Sequence, residues 1–246
     1  KLYNDEYIKD HTLGFDELKK DLLSFTPEKM QKITGIEPSM IKQVARTFAQ
    51  TDKGIIFWGM GISQHVHGTD NARCLISLAL MTGNVGRRGS GLHPLRGQNN
   101  VQGASDAGLI PMMYPDYELV EKNSNKEFFE KFWEKELNPH KGLTVVEIMN
   151  AIHDEQIKGM YIMGENPAMS DPDLNHAREA LKKLNHLVVQ DIFLTETATY
   201  ADVILPASAW PEKNGTVTNS NRQVQLGRKA IEAPGEAKED WWITNE

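Results

Sequence analysis

The chain has 246 residues, of which 39% are hydrophobic and 25% are charged, an ordinary globular composition that can bury a core. Its formal net charge of -7 argues against a nucleic-acid partner, because phosphate binding normally requires a basic surface and no basic run occurs. The longest apolar runs, 54–58 and 75–81, are far shorter than the roughly 20 residues that span a bilayer. We therefore predict no membrane segment in this chain.

Cysteine usage and the two ends suggest a reducing compartment and a longer parent chain. The single cysteine, Cys74, cannot form an internal disulfide, and no Cys-x-x-Cys pair is present to hold zinc or an iron–sulfur cluster. We expect a cytoplasmic location, with a signal upstream of Lys1 left open. Lys1 is not an initiator methionine and opens no signal-peptide pattern, while an apolar segment from Trp241 stops after a few residues. This pattern predicts a piece of a longer protein.

The first half of the chain predicts helices followed by a strand, a loop and another helix. Pro27 and Pro38 stand where the first position of a helix tolerates proline. The continuous apolar run 54–58 predicts a strand covered on both faces, followed by a loop over 59–68. Thr69 is then predicted to cap a helix that ends at Gly83, with Cys74 on its apolar face as a small buried hydrophobe.

Residues 83–108 are rich in glycine and side-chain amides, which predicts a long irregular connection, and such connections usually have a function. Phenylalanines and a tryptophan between 123 and 137 predict a short amphipathic helix in a surface insertion.

The second half predicts a βαβ series. Thr144 and Glu147 form a capping-box pattern that starts a helix through about Gln156. The strands 160–163, 187–190 and 202–205 follow, with a helix over 173–184 between the first two. Such units build parallel sheets with helices on both faces, and their ligands lie beyond the carboxyl ends of the strands. This placement nominates the loops 59–68, 164–170 and 190–195.

Two of these loops carry polar groups suited to a nucleotide. Asn166, directly after a strand, offers an amide beside free backbone N–H groups, or else it and Pro167 merely reverse the chain. Asp191 could bind ribose hydroxyls or guanine N–H groups, or it could be an N-cap. Both alternatives are open for each residue.

Two histidines, His65 and His67, have the spacing of metal ligands on an extended segment. No third ligand or carboxylate partner is evident near them, so hydrogen bonds to the backbone are favoured. We predict no protein metal ligand in this chain.

The segment 93–103 predicts an anion site. It combines Arg96 with the amides of Gln98, Asn99 and Asn100 between flanking glycines, which lets many donors approach a ligand closely. A guanidinium binds a carboxylate through two charge-assisted hydrogen bonds. A structural loop held by amide hydrogen bonds is the open alternative.

The string Gly-Leu-His-Pro-Leu-Arg-Gly-Gln-Asn-Asn-Val-Gln-Gly-Ala-Ser-Asp over 91–106 resembles the substrate-arginine segment of formate dehydrogenase catalytic subunits, in the molybdopterin oxidoreductase family. The segments 59–64, 163–167, 189–193 and 201–206 resemble that family in the same order. The resemblance covers nearly the whole chain and is weakest over 118–142.

This resemblance implies formate oxidation to carbon dioxide at a molybdenum or tungsten atom held by two molybdopterin guanine dinucleotides. Arg96 would orient formate. Three residues match family positions near the pterins: Met60, Gln64 and Gln98. Six residues match family positions around a guanine nucleotide: Asn166, Ser170, Gln190, Asp191, Ala207 and Asp240. Since the family also has serine where Ala207 stands, only a backbone contact carries over there.

The resemblance also implies partners that this chain does not contain. The family's metal-ligating cysteine or selenocysteine and the cysteines of its 4Fe-4S cluster lie upstream of anything in this sequence, and Cys74 is not a substitute. Electrons would leave through that cluster to a partner subunit or redox carrier. We expect the isolated piece to be inactive, and to pack against missing segments of its own subunit or a second copy to cover sheet edges.

The fold class expected is α/β, with two Rossmann-like lobes of mainly parallel sheets flanked by helices, each incomplete in this chain. Residues 1–97 would be the latter part of the lobe on the substrate and pterin side, 98–205 that on the guanine side, and 206–246 a loop-rich tail toward a missing domain. Alternatives to formate dehydrogenase are a nitrate-reductase-like relative and a non-catalytic cofactor-binding module. A nicotinamide dehydrogenase is disfavoured because no Gly-x-Gly-x-x-Gly follows a predicted strand.

Overall fold

A computed structural model describes residues 2–246, and its backbone contacts form two compact units, one ending at Gln98 and the other running from Asn99 to Glu246. In the first unit the helices and strands are α1 (Asp5–His11), α2 (Phe15–Asp21), α3 (Pro27–Thr34), α4 (Pro38–Gln50), β1 (Ile55–Trp58), α5 (Met60–Ser63), α6 (Gly68–Met81) and β2 (Gly91–Pro94). In the second unit they are α7 (Val101–Asp106), β3 (Met113–Tyr114), β4 (Glu118–Leu119), α8 (Asn123–Trp133), α9 (Val145–His153), β5 (Gly159–Met163), α10 (Pro167–Ser170), α11 (Leu174–Lys183), β6 (His186–Asp191), β7 (Val203–Pro206), β8 (Gly215–Thr218), β9 (Val224–Gly227) and α12 (Asp240–Asn245).

The first unit contains a parallel two-stranded sheet. Strands β1 and β2 pair from Ile55 with Gly91 to Trp58 with Pro94, and α3 and α4 begin at their prolines as predicted. The prediction of an irregular connection over 83–108 is wrong, because β2 and α7 lie within it. The sequence of β2 has no apolar pattern that predicts a strand. Its strand conformation is recognised only from its backbone pairing with β1.

Exposure and helix start in this unit also differ from prediction. The prediction that β1 is covered on both faces is wrong for the described chain, in which Phe57 is 58% exposed. Helix α6 begins at Gly68 rather than after Thr69, and a Cβ on Gly68 would lie 1.8 Å from the Ser63 carbonyl oxygen, so only glycine fits there. Cys74 is exposed, not buried, because it lies five residues, or roughly 140° around the helix, from the buried Ala79.

The second unit is built on a parallel sheet of order β5-β6-β7, which confirms the predicted βαβ series. Strand β6 is buried along its middle, where Leu187 and Val189 pack against Ile162 of β5 and Leu181 of α11. The capping box of Thr144 and Glu147 is confirmed, although α9 ends at His153, three residues before the predicted end. The apolar strand runs therefore located this core correctly.

Of the remaining segments of the second unit, the helix predicted between 123 and 137 is confirmed, and the tail is more ordered than predicted. The predicted amphipathic helix is α8, and its Phe129 is buried against Tyr114 with ring centroids 4.7 Å apart. The tail forms the antiparallel hairpin β8–β9, a bridge between Ala207 and Lys238, and α12. Within residues 2–246 no helix is both long and apolar enough to cross a membrane.

Candidate functional site

The carboxyl ends of β5, β6 and β7 meet at one edge of the sheet. Met163 pairs with Gln190, and Asp191 pairs with Pro206, so the loops that follow these three strands start side by side. This is where open parallel sheets bind their ligands. The structure therefore brings the predicted nucleotide residues of three separate chain segments to one edge.

Asn166 lies at this edge and is bonded to the loop that follows β6. Its Oδ1 accepts hydrogen bonds from the Thr197 hydroxyl (2.7 Å) and the Thr197 N–H (3.1 Å), and its Nδ2 donates to Glu196 Oε2 (2.7 Å). The bond from Asn166 lowers the pKa of the Glu196 carboxyl. Ser170, exposed at the end of α10, donates its hydroxyl to the Asn166 carbonyl oxygen (3.1 Å). Asn166 thus has a structural role in joining two loops, whatever ligand it contacts.

Gln190 is fully buried, and both ends of its amide are bonded. The Tyr161 hydroxyl donates to Gln190 Oε1, and Gln190 Nε2 donates to Asp240 Oδ1 (2.8 Å). Lys213 Nζ donates to the other carboxylate oxygen of Asp240 and to the Ser208 carbonyl oxygen (3.2 Å). The structure therefore unites Gln190 and Asp240, which are fifty positions apart in the chain.

Asp191 keeps one carboxylate oxygen for the backbone. Its Oδ1 accepts from the Ile192 N–H (2.6 Å) and the Phe193 N–H (3.3 Å), which stabilises a turn. The next helical turn begins only at Thr197, so Asp191 is not the N-cap that the sequence left open. Its carbonyl oxygen accepts the Ala207 N–H (3.0 Å), so the Ala207 N–H is already used. Beside Ala207, the buried Ser208 hydroxyl has no hydrogen-bond partner among residues 2–246.

A second group of polar side chains lies at the carboxyl ends of β1 and β2. Because Trp58 pairs with Pro94, Met60 and Arg96 follow the ends of neighbouring strands. The two loops are in contact, since a Cβ on Gly97 would lie 3.6 Å from the Met60 sulfur. The pairing of β1 with β2 therefore brings Met60 and Arg96 together, although more than thirty residues separate them in the chain.

The polar side chains of this second group are exposed and unpaired within the described chain. Arg96, Gln98 and Gln64 are exposed, and none of their side chains has a hydrogen-bond or ion-pair partner within the described chain. Gln64 is held only through its N–H, which donates to the Met60 carbonyl oxygen (2.8 Å). These free donors can bind an anion or a polar ring.

The sequence left two alternatives for the segment 93–103, an anion site and a structural loop, and its residues differ in which of the two they suit. Asn100, in the left-handed region at φ 60°, accepts the Thr218 N–H on its Oδ1 (2.9 Å). Gln102 Nε2 donates to Asp106 Oδ1 (2.9 Å). These amides hold structure within the second unit, whereas Arg96 and Gln98 are free for a ligand.

Of the two histidines, His65 lies beside the backbone, whereas His67 Nδ1 lies 4.0 Å from Asp70 Oδ2. A ring nitrogen of His65, Nε2, lies 2.7 Å from the Gly61 carbonyl oxygen, as favoured by the sequence. Within the described residues no group of three or more histidine, cysteine or acidic side chains could hold a metal ion.

Sequence reasoning missed four residues of the strand-end networks: Tyr161, Glu196, Thr197 and Lys213. The polar cluster 195–197 directly after β6 was a usable signal, because such residues commonly bond to neighbouring loops. No local sequence signal pointed to Lys213, because its partner Asp240 is twenty-seven positions away in the chain.

Parallel α/β units with polar strand ends are an arrangement that commonly holds a cofactor or nucleotide at the sheet edge. Comparison with protein families matches residues 15–246 to the family described as Molybdopterin oxidoreductase, and the chain belongs to this family. A molybdopterin cofactor containing molybdenum or tungsten is characteristic of it.

Among its relatives are formate dehydrogenases. It is 49% identical over 242 residues to the F420-dependent formate dehydrogenase subunit alpha of Methanocaldococcus jannaschii, covering 98% of this chain and 36% of the relative. It is 42% identical over 246 residues to formate dehydrogenase H of Escherichia coli, covering 100% of this chain and 34% of that relative. The chain thus spans about a third of the length of these curated relatives.

A solved structure supports the fold assignment. Acetylene hydratase from Pelobacter acetylenicus superposes with a TM-score of 0.72 at 19% identity, covering 98% of this chain and 36% of that one. At this identity the likeness concerns the fold alone, and it confirms the predicted α/β class.

Proposed function

We propose that this chain is part of the catalytic alpha subunit of a molybdopterin-dependent formate dehydrogenase, which oxidises formate to carbon dioxide. The observation that carries the proposal is Arg96, an exposed guanidinium without a protein partner at the ends of β1 and β2. Formate offers two equivalent oxygens and almost no apolar surface. A guanidinium matches that planar carboxylate with two parallel hydrogen bonds, so Arg96 would orient the substrate.

The side chains at each sheet edge, taken separately, suit a part of a large polar cofactor. Around Arg96, the amides of Gln64 and Gln98 and the Met60 thioether are available to the pterins. Bis(molybdopterin guanine dinucleotide) is the form that we propose, and when bound its metal supplies the acceptor for the two electrons removed from formate.

The second unit is proposed to hold a guanine nucleotide of that cofactor. Asp191 has one carboxylate oxygen that is not used by the backbone, and the buried Ser208 hydroxyl beside Ala207 lacks a partner in the described chain. Residues proposed to surround the nucleotide are Asn166, Ser170, Gln190, Asp191, Ala207 and Asp240. In this assignment the lobe 1–97 serves the substrate and pterins, and the lobe 98–205, with the tail 206–246, serves the guanine end.

Electron transfer and location complete the proposal. The exposed Cys74 is the chain's single cysteine, so a 4Fe-4S cluster would be ligated by other segments of the subunit. Electrons would pass to a partner subunit or redox carrier, and the name of the Methanocaldococcus jannaschii relative specifies F420 dependence. A cytoplasmic location is part of the same proposal. We also propose that further segments of the subunit, or a second copy of the chain, cover exposed strand residues such as Phe57.

The test uses the full-length protein encoded by the gene. We expect formate to reduce an artificial dye, nitrate to leave the reduced dye unchanged, and hydrolysis of the extracted cofactor to release GMP. Nitrate-dependent dye oxidation would favour the nitrate-reductase-like alternative. Cofactor binding without either activity would favour a non-catalytic module.

A further inference from the structure

We propose that Lys213 is a positioning residue of the nucleotide site, which fixes the Asp240 carboxylate to accept the two adjacent donors of guanine. The inference rests on the guanine site proposed above and adds a residue that the family resemblance did not indicate. Its basis is the hydrogen-bond chain from Tyr161 through Gln190 to Asp240, which Lys213 closes from the other side.

The direction of each bond in this chain follows from Asp240. An ionised carboxylate accepts hydrogen bonds only, so the NH₂ side of the Gln190 amide must face Asp240. The amide oxygen of Gln190 then faces Tyr161, whose hydroxyl must donate. The orientation of the buried amide is therefore set, and Asp240 Oδ1 always receives one bond.

Lys213 completes the restraint on the carboxylate. Its ammonium bonds to Asp240 Oδ2 and is itself anchored by the Ser208 carbonyl oxygen. The two side chains are 24% and 34% exposed, so the pair is shielded more than the chain's typical surface pairs, such as Lys42 with Glu28 at 46% and 62%. Shielding strengthens a charge-assisted bond and slows rotation of the carboxylate.

The remaining acceptor capacity suits guanine. A carboxylate has about four lone-pair positions, and Gln190 and Lys213 occupy one on each oxygen. One position on each oxygen remains, and we assign these two positions to the base. Guanine presents its N1–H and N2 amino groups as two neighbouring donors, whereas hypoxanthine lacks the amino group and adenine presents an acceptor at N1. The positive charge of Lys213 also offsets the cost of covering Asp240 with a base.

A purely structural role makes a different prediction. The same bonds join α12 to the sheet edge, so loss of Lys213 could simply loosen α12. In that case every nucleotide would bind less tightly by the same factor, and the discrimination among bases would be unchanged.

Calorimetric titration of the 246-residue chain with GDP, IDP and ADP separates these roles. We expect Lys213→Met to weaken GDP binding about tenfold, as for one lost hydrogen bond to a charged group, and to reduce the preference for GDP over IDP. Lys213→Arg should stay within about threefold of the original affinity, because the charge and a donor remain. In an Asp240→Asn background, Lys213→Met should have little further effect.

The matched control is Lys229→Met, which removes a lysine of the tail that pairs with Glu232. It should leave GDP binding unchanged. Equal loss for GDP, IDP and ADP in Lys213→Met, or failure of Lys213→Arg to restore binding, would overturn the positioning role alone. An original chain that does not bind GDP, or does not prefer it over ADP, would overturn the guanine site together with this inference.

Discussion

The two sheet edges present their polar side chains in opposite ways. At the ends of β1 and β2, Arg96 and Gln98 are exposed and have no partner in the described chain, whereas at the ends of β5 and β6 Gln190 is buried and bonded on both sides. Exposed groups are solvated at little cost, but buried ones must be paired. The edge with Arg96 thus suits a small charged ligand, which a free guanidinium can bind. The edge with Gln190 suits a nucleotide base, which needs a hydrogen-bond acceptor that is already held in place.

The largest effect that tests this contrast is expected at Arg96 in the full-length enzyme. Arg96→Ala should lower formate kcat/KM roughly 30- to 1,000-fold, because loss of a charge-assisted pair that the bound cofactor would shield from water costs on the order of 2–4 kcal/mol. Lysine keeps the charge but not the fork, so Arg96→Lys should fall in between. Because the proposed contact would also orient formate, kcat should fall with any rise in KM.

Steady-state kinetics with cofactor content measured for each variant decides this prediction. A variant that keeps its cofactor and stays within about threefold of the original kcat/KM would exclude a substrate role for Arg96. In the 246-residue chain, the same change should alter the free energy of unfolding by less than about 0.5 kcal/mol, since no bond within the described chain is lost.

A matched pair of glutamines compares the two edges directly. Gln190→Leu should lower the free energy of unfolding by about 1–3 kcal/mol, because it leaves Tyr161 and Asp240 without their partner. Gln98→Leu, the same exchange at an exposed and unpaired site, should change it by less than about 0.5 kcal/mol. Urea denaturation followed by tryptophan fluorescence measures both. Similar values for the two variants would remove the distinction between the edges.

The smallest effect is a pH dependence at Glu196. Its pKa is lowered below the ordinary 4.5 by the Asn166 hydrogen bond, so its contribution to stability is present above that pH and is lost as the pH falls through the lowered value. Unfolding midpoints measured from pH 6 to about 3 should fall less steeply in Glu196→Gln than in the original chain. Glu165→Gln, at a carboxylate without a hydrogen-bond partner in the described chain, is the control. Identical slopes for both variants would contradict the role of the Asn166 bond.

Much of the second unit could be predicted from sequence because its signals are local. The apolar run of β6 located the core, the capping box located α9, and the apolar runs of β5 and β6 located the loops that follow Met163 and Asp191. Each of these depends on neighbours in the chain. The sequence therefore sufficed for the sheet and for the position of its edge.

The features that were missed depend on distant contacts. Strand β2 exists through backbone pairing with β1, and the start of α6 depends on the close approach of Gly68 to Ser63. The bond between Lys213 and Asp240 joins positions twenty-seven residues apart through the fold of the tail. No local pattern encodes any of these, although the family resemblance had nominated Asp240 by position.

The exposure of Cys74 on α6 has a practical consequence. As the chain's single thiol, it can be coupled to one maleimide dye without removing any other cysteine. The dye would report on the unit that ends at Gln98, which contains one tryptophan, Trp58, while the other four tryptophans lie in the second unit. The natural sequence thus supplies two optical probes that can follow the unfolding of its two units separately.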